Sequence, residues 1–163
     1  MQTGHEIFFL DESIFALIPY ITRGWFIVNS RPTTKIINNS HQKICVFGAL
    51  GIGKSITKLS PKINGKKYLA FIKRLNKQYK KLCLIVDNAR WHLTKDVMNF
   101  IKIKQIKLIR LLPYSPELNP IEQYWKNVKK WLGTRVWSSF PELKKQLRIA
   151  LTKEFLLPER YQN

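Results

Sequence analysis

The sequence predicts an α/β fold in which helices pack around one mixed sheet. Three observations carry that prediction. Strand-like segments come first, and helix-like and strand-like segments alternate afterwards, the order of a layered α/β domain. Leu82–Val86 is a run of five apolar residues, the pattern of a central strand covered on both faces. No Gly-, Ser- or Pro-rich linker long enough to separate two domains interrupts the 163 residues, a length sufficient for one hydrophobic core.

Taken in order, "EIFFLDESIFALI" (6–18) reads as a buried strand and its continuation, stopped by Pro19. "TRGWFIV" suggests a turn at Gly24 leading into another strand, and "RPTTKIINNS" a loop and edge. "KICVFGAL" (43–50) is a strand, and the short β-branched "SITKLS" (55–60) is another, ended by Pro61. A helix fits "KKYLAFIKRLNKQY", where Tyr68, Leu69, Ile72, Leu75 and Tyr79 recur at helical spacing. The Leu82–Val86 strand follows, then a helix over "TKDVMNFIKI" with Thr94 as N-cap. "IKLIRLLP" is a last strand, closed by Pro113, and "YSPELNP" is a turn-rich loop. In "IEQYWKNVKKWLG" an apolar stripe joins Ile121, Trp125, Val128 and Leu132, with Gly133 as the stop. "FPELKKQLRIALTKEF" places Leu143, Leu147, Leu151 and Phe155 in one helical register.

Composition narrows the function classes. Hydrophobic residues make up 45% of the chain, with five Trp, nine Phe and six Tyr, which excludes a disordered basic tail. Lys and Arg number 29 against 10 Asp and Glu, a net charge of +19. Such a surface attracts polyanions through phosphate contacts and counterion release, so nucleic acid is the expected partner; a Lys-rich, AT-biased coding sequence contributes to the same excess. Cys45 and Cys83 lie in apolar runs without a Cys/His ligand cluster, which argues for buried free thiols in a reducing cytoplasm and against structural zinc. The N-terminus has neither the charge pattern nor the apolar run of a signal peptide, and no apolar run is long enough to span a membrane.

One motif points elsewhere. Within "FGALGIGKSITK", residues 48–55 spell G-x-x-x-x-G-K-S, the form of a nucleotide-binding phosphate loop. A working loop of that kind needs a helix to start at its Lys-Ser end. Here Ile56 and Thr57 are β-branched and Pro61 follows, so a hairpin across Gly51–Gly53 fits better and Lys54 becomes a turn residue that can touch DNA.

The sparse acidic residues are more informative. Asp11 follows "IFFL", Asp87 follows "LCLIV", and Glu122 sits in "LNPIE", one residue after the apolar stripe begins. Carboxylates at the ends of buried strands are costly unless paired, hydrogen-bonded or bound to metal. Each also has a simpler structural reading: a strand-end charge for Asp11, an Asx turn for Asp87-Asn88, and a capping box for Asn119–Glu122 with Pro120 in the first turn. Adjacent strand residues face opposite ways, so only one of Asp11 and Glu12 can enter a shared site.

Together, "FLDES" (9–13), "LIVDNARWH" (84–92) and "LLPYSPELNPIEQYWKNVKKWL" (111–132) resemble the DDE transposases of the insertion sequence 630 and mariner superfamily. The resemblance runs from about residue 6 to residue 132, with 34 residues (88–121) between the second and third acids. It implies a ribonuclease H-like fold: a five-stranded mixed sheet, strands 1–3 antiparallel, strands 4 and 5 parallel to strand 1, flanked by helices. It makes Asp11, Asp87 and Glu122 the catalytic metal ligands for Mg²⁺ or Mn²⁺, expected as two ions, with Asn88, His92 and Asn119 in support. Glu12 matches a frequent companion of the first Asp, outside the triad. His92 is expected to orient the second Asp or touch a phosphate, or else to serve at the surface or as a cap.

The activity so implied is DNA strand cleavage by water and strand transfer by the freed 3′-OH, in cut-and-paste transposition. Lys54, Arg90, Lys126, Lys129 and Lys130 are candidate DNA contacts, and Trp125, Trp131 and Trp137 are candidates for stacking on unpaired bases, Trp125 being better suited to the core. Residues 1–163 are expected to form a single catalytic domain with 134–163 as a C-terminal helical extension. Asp11 lies too near the start for the helix-turn-helix modules usual in that family, so the expectation is either that a separate or frameshift-joined polypeptide recognises the ends, with the chain acting as a homodimer at a prokaryotic nucleoid, or that the chain is a catalytic fragment or a decayed copy. The alternatives are a non-catalytic nucleic-acid-binding remnant and, less favoured, a phosphate-loop hydrolase.

Overall fold

The computed structural model describes residues 4–17, 28–29, 42–113, 115–135, 137 and 139–162. A five-stranded sheet is formed by β1 (Glu6–Ala16), β2 (Lys43–Gly51), β3 (Lys54–Ser60), β4 (Leu82–Val86) and β5 (Lys107–Arg110), in the order β3-β2-β1-β4-β5. β1 pairs antiparallel with β2, and β2 with β3, while β4 runs parallel to both β1 and β5. This is the arrangement expected from the sequence. The strand expected over "TRGWFIV" and the edge over "RPTTKIINNS" lie outside the described residues except for Val28 and Asn29.

Among the described residues four α-helices flank the sheet: α1 (Gly65–Gln78), α2 (Lys95–Ile103), α3 (Pro120–Gly133) and α4 (Phe140–Leu151). Strand alternation sorts the core into two layers. Phe8 and Leu10 of β1, with Phe47 and Ala49 of β2, pack against Tyr68, Phe71, Ile72 and Leu75 of α1 and Val97 and Ile101 of α2. Phe15, with Ile44, Val46 and Leu50, packs on the other face against α3 and α4. β4 is buried along almost its whole length, as its unbroken apolar run requires. Cys45 and Cys83 are buried free thiols. Among the described residues no helix is long and apolar enough to cross a membrane.

The Gly-rich stretch closes the β2–β3 hairpin. Gly51 pairs with Lys54, leaving Ile52 and Gly53 as the turn, and Gly53 takes a positive φ of 65° that suits glycine. No helix starts there, so the structure removes the local basis for a phosphate loop.

Several expectations are corrected. β5 stops at Arg110 rather than continuing to Pro113, and it is an exposed edge strand. α4 ends at Leu151; Phe155 falls in a separate 3₁₀ turn, Glu154–Leu156, and is 61% exposed. Thr94 precedes α2 without a side-chain capping bond, whereas Asn64, unforeseen, caps α1 by accepting from the Lys67 amide at 2.9 Å. Trp137 is buried and donates its indole N–H to the Leu17 carbonyl at 2.8 Å, so it does not offer a face to a nucleic-acid base.

Candidate active site

Residues brought from distant points of the chain line one cavity of about 420 Å³: Asp11 on β1, Asp87 and Asn88 after β4, Ser115 and Pro116 in the connecting loop, and Asn119 and Glu122 at the start of α3. The topology explains the convergence. β1 and β4 are parallel neighbours with Phe9 opposite Ile85, a register that brings Asp11, midway along β1, level with Asp87 just past the end of β4, and α3 begins beside them. A larger cavity of about 740 Å³ lies between α3 and the C-terminal turns, but Glu159 is its only acidic lining residue.

Asp11 points to the α3 face. Its Oδ2 accepts the Trp125 indole N–H at 2.9 Å. Trp125 reaches this position because the residue paired with Asp11 on β2 is Gly48. A Cβ at Gly48 would lie 2.5 Å from two indole carbons of Trp125 and 2.9 Å from Ile121 Cδ1. Burial pushes the Asp11 carboxyl up to about 7; the negative charges of Glu122 and Glu12 add to this, against opposing hydrogen bonds from the Glu12 amide and Trp125.

Asp87 is half-exposed at the cavity. Its Oδ1 accepts the Ala89 amide at 2.9 Å, the Asx turn foreseen as the simpler reading, and faces His92 Nδ1 at 2.8 Å. The His92 bond, then the Ala89 amide, hold its pKa below the usual carboxylate value despite burial. His92 is fully buried, in the 3₁₀ turn Arg90–Leu93, and its ring lies 4.4 Å from that of Tyr68; it is therefore neither a surface residue nor open to a phosphate. Its Nε2 faces Glu12 Oε1 at 3.0 Å, and Glu12 Oε2 accepts the Trp91 indole N–H at 2.9 Å. Burial would lower the His92 pKa, but the hydrogen bonds and charges of Asp87 and Glu12 outweigh it and raise the value to about 9.

Asn88 Nδ2 donates to the Leu111 carbonyl at 2.9 Å, tying the end of β4 to the segment after β5. Asn119 is the N-cap residue of α3, but its side chain makes no capping bond. Its Nδ2 contacts the Leu10 carbonyl at 3.5 Å, and its buried Oδ1 has no partner. The expected reciprocal capping box is thus absent: the Asn119 amide donates to Pro116, and the Glu122 amide to the Asn119 carbonyl. The physical reason is that Asn119 is turned back towards β1.

Among the basic candidates, Arg90, Lys126 and Lys130 are exposed. Lys129 is half-buried, with its ammonium 5.8 Å from the Phe15 ring centre. Lys54 pairs with Glu6 at 2.8 Å and lies outside the carboxylate cavity. Trp125 belongs to the core, and Trp131 is covered by the Arg135 guanidinium 3.2 Å from its ring centre.

The donor set suits a hard divalent cation, which takes oxygen ligands. Two features of the cavity agree: a buried carboxyl burdened by neighbouring negative charge, and an amide oxygen left without a donor. Among the described residues no group of three His, Cys, Asp or Glu side chains is arranged to hold an ion unaided. Mg²⁺ needs no such cage, because it keeps several waters and uses one or two carboxylates with substrate phosphates.

Three residues escaped sequence reasoning as parts of this site. Gly48 was hidden in the phosphate-loop pattern, Trp125 in an ordinary helical stripe, and Trp91 in a 3₁₀ turn without a periodic signal.

A family model described as DDE superfamily endonuclease matches residues 6–144. The fold is similar to that of the mariner Mos1 paired-end complex with Mg, with a TM-score of 0.75 and 18% identity over 96% of this chain and 50% of that one. It is also similar to the Mos1 mariner transposase catalytic domain (TM-score 0.68, 18% identity, 96% and 79% covered) and to the catalytic core domain of BIV integrase (0.56, 15%, 93% and 84%). A relative from Sinorhizobium fredii (strain NBRC 101917 / NGR234), the uncharacterized protein y4pE/y4sA, is 37% identical over 62 residues, 37% of this chain and 43% of that protein. The chain spans about half the length of the Mos1 chains in their complexes. Its sheet is the ribonuclease H-like mixed sheet of such transposase and integrase cores, and the chain belongs to the DDE superfamily endonucleases.

Proposed function

We propose that this DDE superfamily endonuclease is the catalytic unit of a transposase, cutting DNA strands and joining the freed 3′ ends to a target in a divalent-metal-dependent reaction. The observation that carries the reading is the single cavity lined by Asp11, Asp87 and Glu122. These three side chains would hold the ions, Mg²⁺ or Mn²⁺ and two in number, with Asn88, His92 and Asn119 in support. When bound, the ions supply the positive charge that stabilises the attacking and leaving oxygens of an in-line phosphodiester displacement.

The chain's own residues prepare that step. Trp125 fixes one oxygen of Asp11, a residue that lines the cavity. The Ala89 amide and His92 fix one oxygen of Asp87 in the same way. Pro120 and the backbone turn at Asn119 set where Glu122 projects from α3. Lys126, Lys129 and Lys130 on α3, with Arg90 beside Asp87, supply contacts to DNA phosphates, and Lys54 adds to the general basic field. The residues 134–163 act as a helical extension of one catalytic domain. A homodimer on transposon ends, with specific recognition by a helix-turn-helix polypeptide, completes the proposal; a prokaryotic cytoplasm is its setting.

A second reading is a DNA-binding remnant without catalysis. It draws on the lack, among the described residues, of three ligands already arranged around an ion. Nicking of supercoiled plasmid in Mn²⁺ separates the two. The catalytic reading predicts activity that Asp87→Asn lowers about 100-fold or more, the loss of several kcal/mol of charge stabilisation, with DNA affinity kept. Absence of Mn²⁺-dependent nicking by the wild-type chain would favour the remnant.

A further inference from the structure

Glu12 shares its strand with Asp11 but has no part in the cavity. Alternation on β1 sends it to the α1 face, its side chain is only 3% exposed, and it is absent from the cavity lining. Both its oxygens are engaged, Oε1 by His92 Nε2 at 3.0 Å and Oε2 by the Trp91 indole at 2.9 Å. His92, with no exposed surface, presents its other nitrogen to Asp87 Oδ1 at 2.8 Å. A continuous buried line therefore runs from β1 through the 3₁₀ turn after β4 to the edge of the cavity.

Deepening the metal-dependent reading, on which this step rests, we propose that Glu12 is a positioning residue that, acting through His92, holds Asp87 in its ligating orientation. The His92 ring is held at both nitrogens, Nε2 against Glu12 and Nδ1 against Asp87 Oδ1. Asp87 Oδ1 also takes the Ala89 amide, so one oxygen of that carboxylate is fixed from two sides and its rotation is restricted. Outer partners of this kind orient metal ligands, and their loss typically weakens metal affinity about 10–100-fold. Glu12 acts through His92, since neither of its oxygens is free and it lies across the sheet from Asp11.

The test compares Mn²⁺ affinity of the folded wild-type chain, E12A, E12Q and a control, L147A, a core residue of α4 that lines no part of the carboxylate cavity. Expected are a loss of about 10–100-fold in E12A, a smaller but clear loss in E12Q, which keeps an acceptor for His92 without the charge, and wild-type affinity in L147A at a comparable drop in thermal midpoint. If E12A does not fold, E12Q decides. Wild-type Mn²⁺ affinity in a folded Glu12 variant would overturn the positioning role while leaving the metal-dependent reading intact. A wild-type chain that binds no Mn²⁺ would overturn both.

Discussion

Asp11 is the residue at which folding and chemistry pull against each other most clearly. Its carboxyl is pushed up to about 7, first by burial and then by the charges of Glu122 and Glu12, whereas in an unfolded chain it titrates near 4. The folded form therefore holds the proton more tightly. The stabilisation is fully present below the unfolded value and is lost as pH rises through about 7. His92 acts with the same sign at higher pH, its contribution being lost as pH rises through about 9, and Asp87, whose pKa is depressed, acts with the opposite sign in acid. Asp11→Asn isolates the first effect. Without divalent ions the variant should melt above the wild type at pH 8 and near it at pH 4, the gap following about 2–4 °C per kcal/mol for a chain of this size. Mn²⁺ should raise the wild-type midpoint more at pH 7.5 than at pH 5.5, because binding must displace the proton, and should raise that of Asp11→Asn little at either. Equal melting of the two proteins across this range would refute the assigned burial cost.

Between elements, the decisive contact is α3 across β1 and β2, where Trp125 lies over Gly48 and holds Asp11. Gly48→Ala forces a methyl group into the indole and Ile121. A loss of about 1–3 kcal/mol is expected from overpacking, measured by denaturant unfolding, together with weaker Mn²⁺ binding as Trp125 moves from Asp11. A neutral substitution would contradict the packing argument. The strands around β4 and the helices α1, α3 and α4 were legible in the sequence because their apolar periods agree with their burial. The convergence of Asp11, Asp87 and Glu122 on one cavity was legible only through the family resemblance, since periodicity says nothing of which strands become neighbours. Side-chain partners were least legible. Asn119 looked like a cap yet turns to β1, and Phe155 continued the α4 register yet follows the end of that helix at Leu151. In both places a contact outside the local sequence, or its absence, decided the outcome.

For the molecule as a whole, the net charge of +19 dominates encounters with DNA. Binding to non-specific duplex should weaken at least 100-fold between about 50 and 200 mM salt, as expected for about four or more phosphate contacts; fluorescence anisotropy would measure it, and an affinity indifferent to salt would oppose the proposed role of the α3 lysines. Charge alone, however, does not make a nuclease. The proposed activity depends on an ion being shared by groups on β1, after β4 and on α3. A crystal of the chain soaked in Mn²⁺, with anomalous diffraction recorded near the manganese edge, tests this most directly. The account predicts anomalous density in the cavity within coordination distance of carboxylate oxygens of Asp11 and Asp87, with Glu122 facing it. A fully ordered cavity without density at saturating Mn²⁺, or density held by other residues, would contradict it.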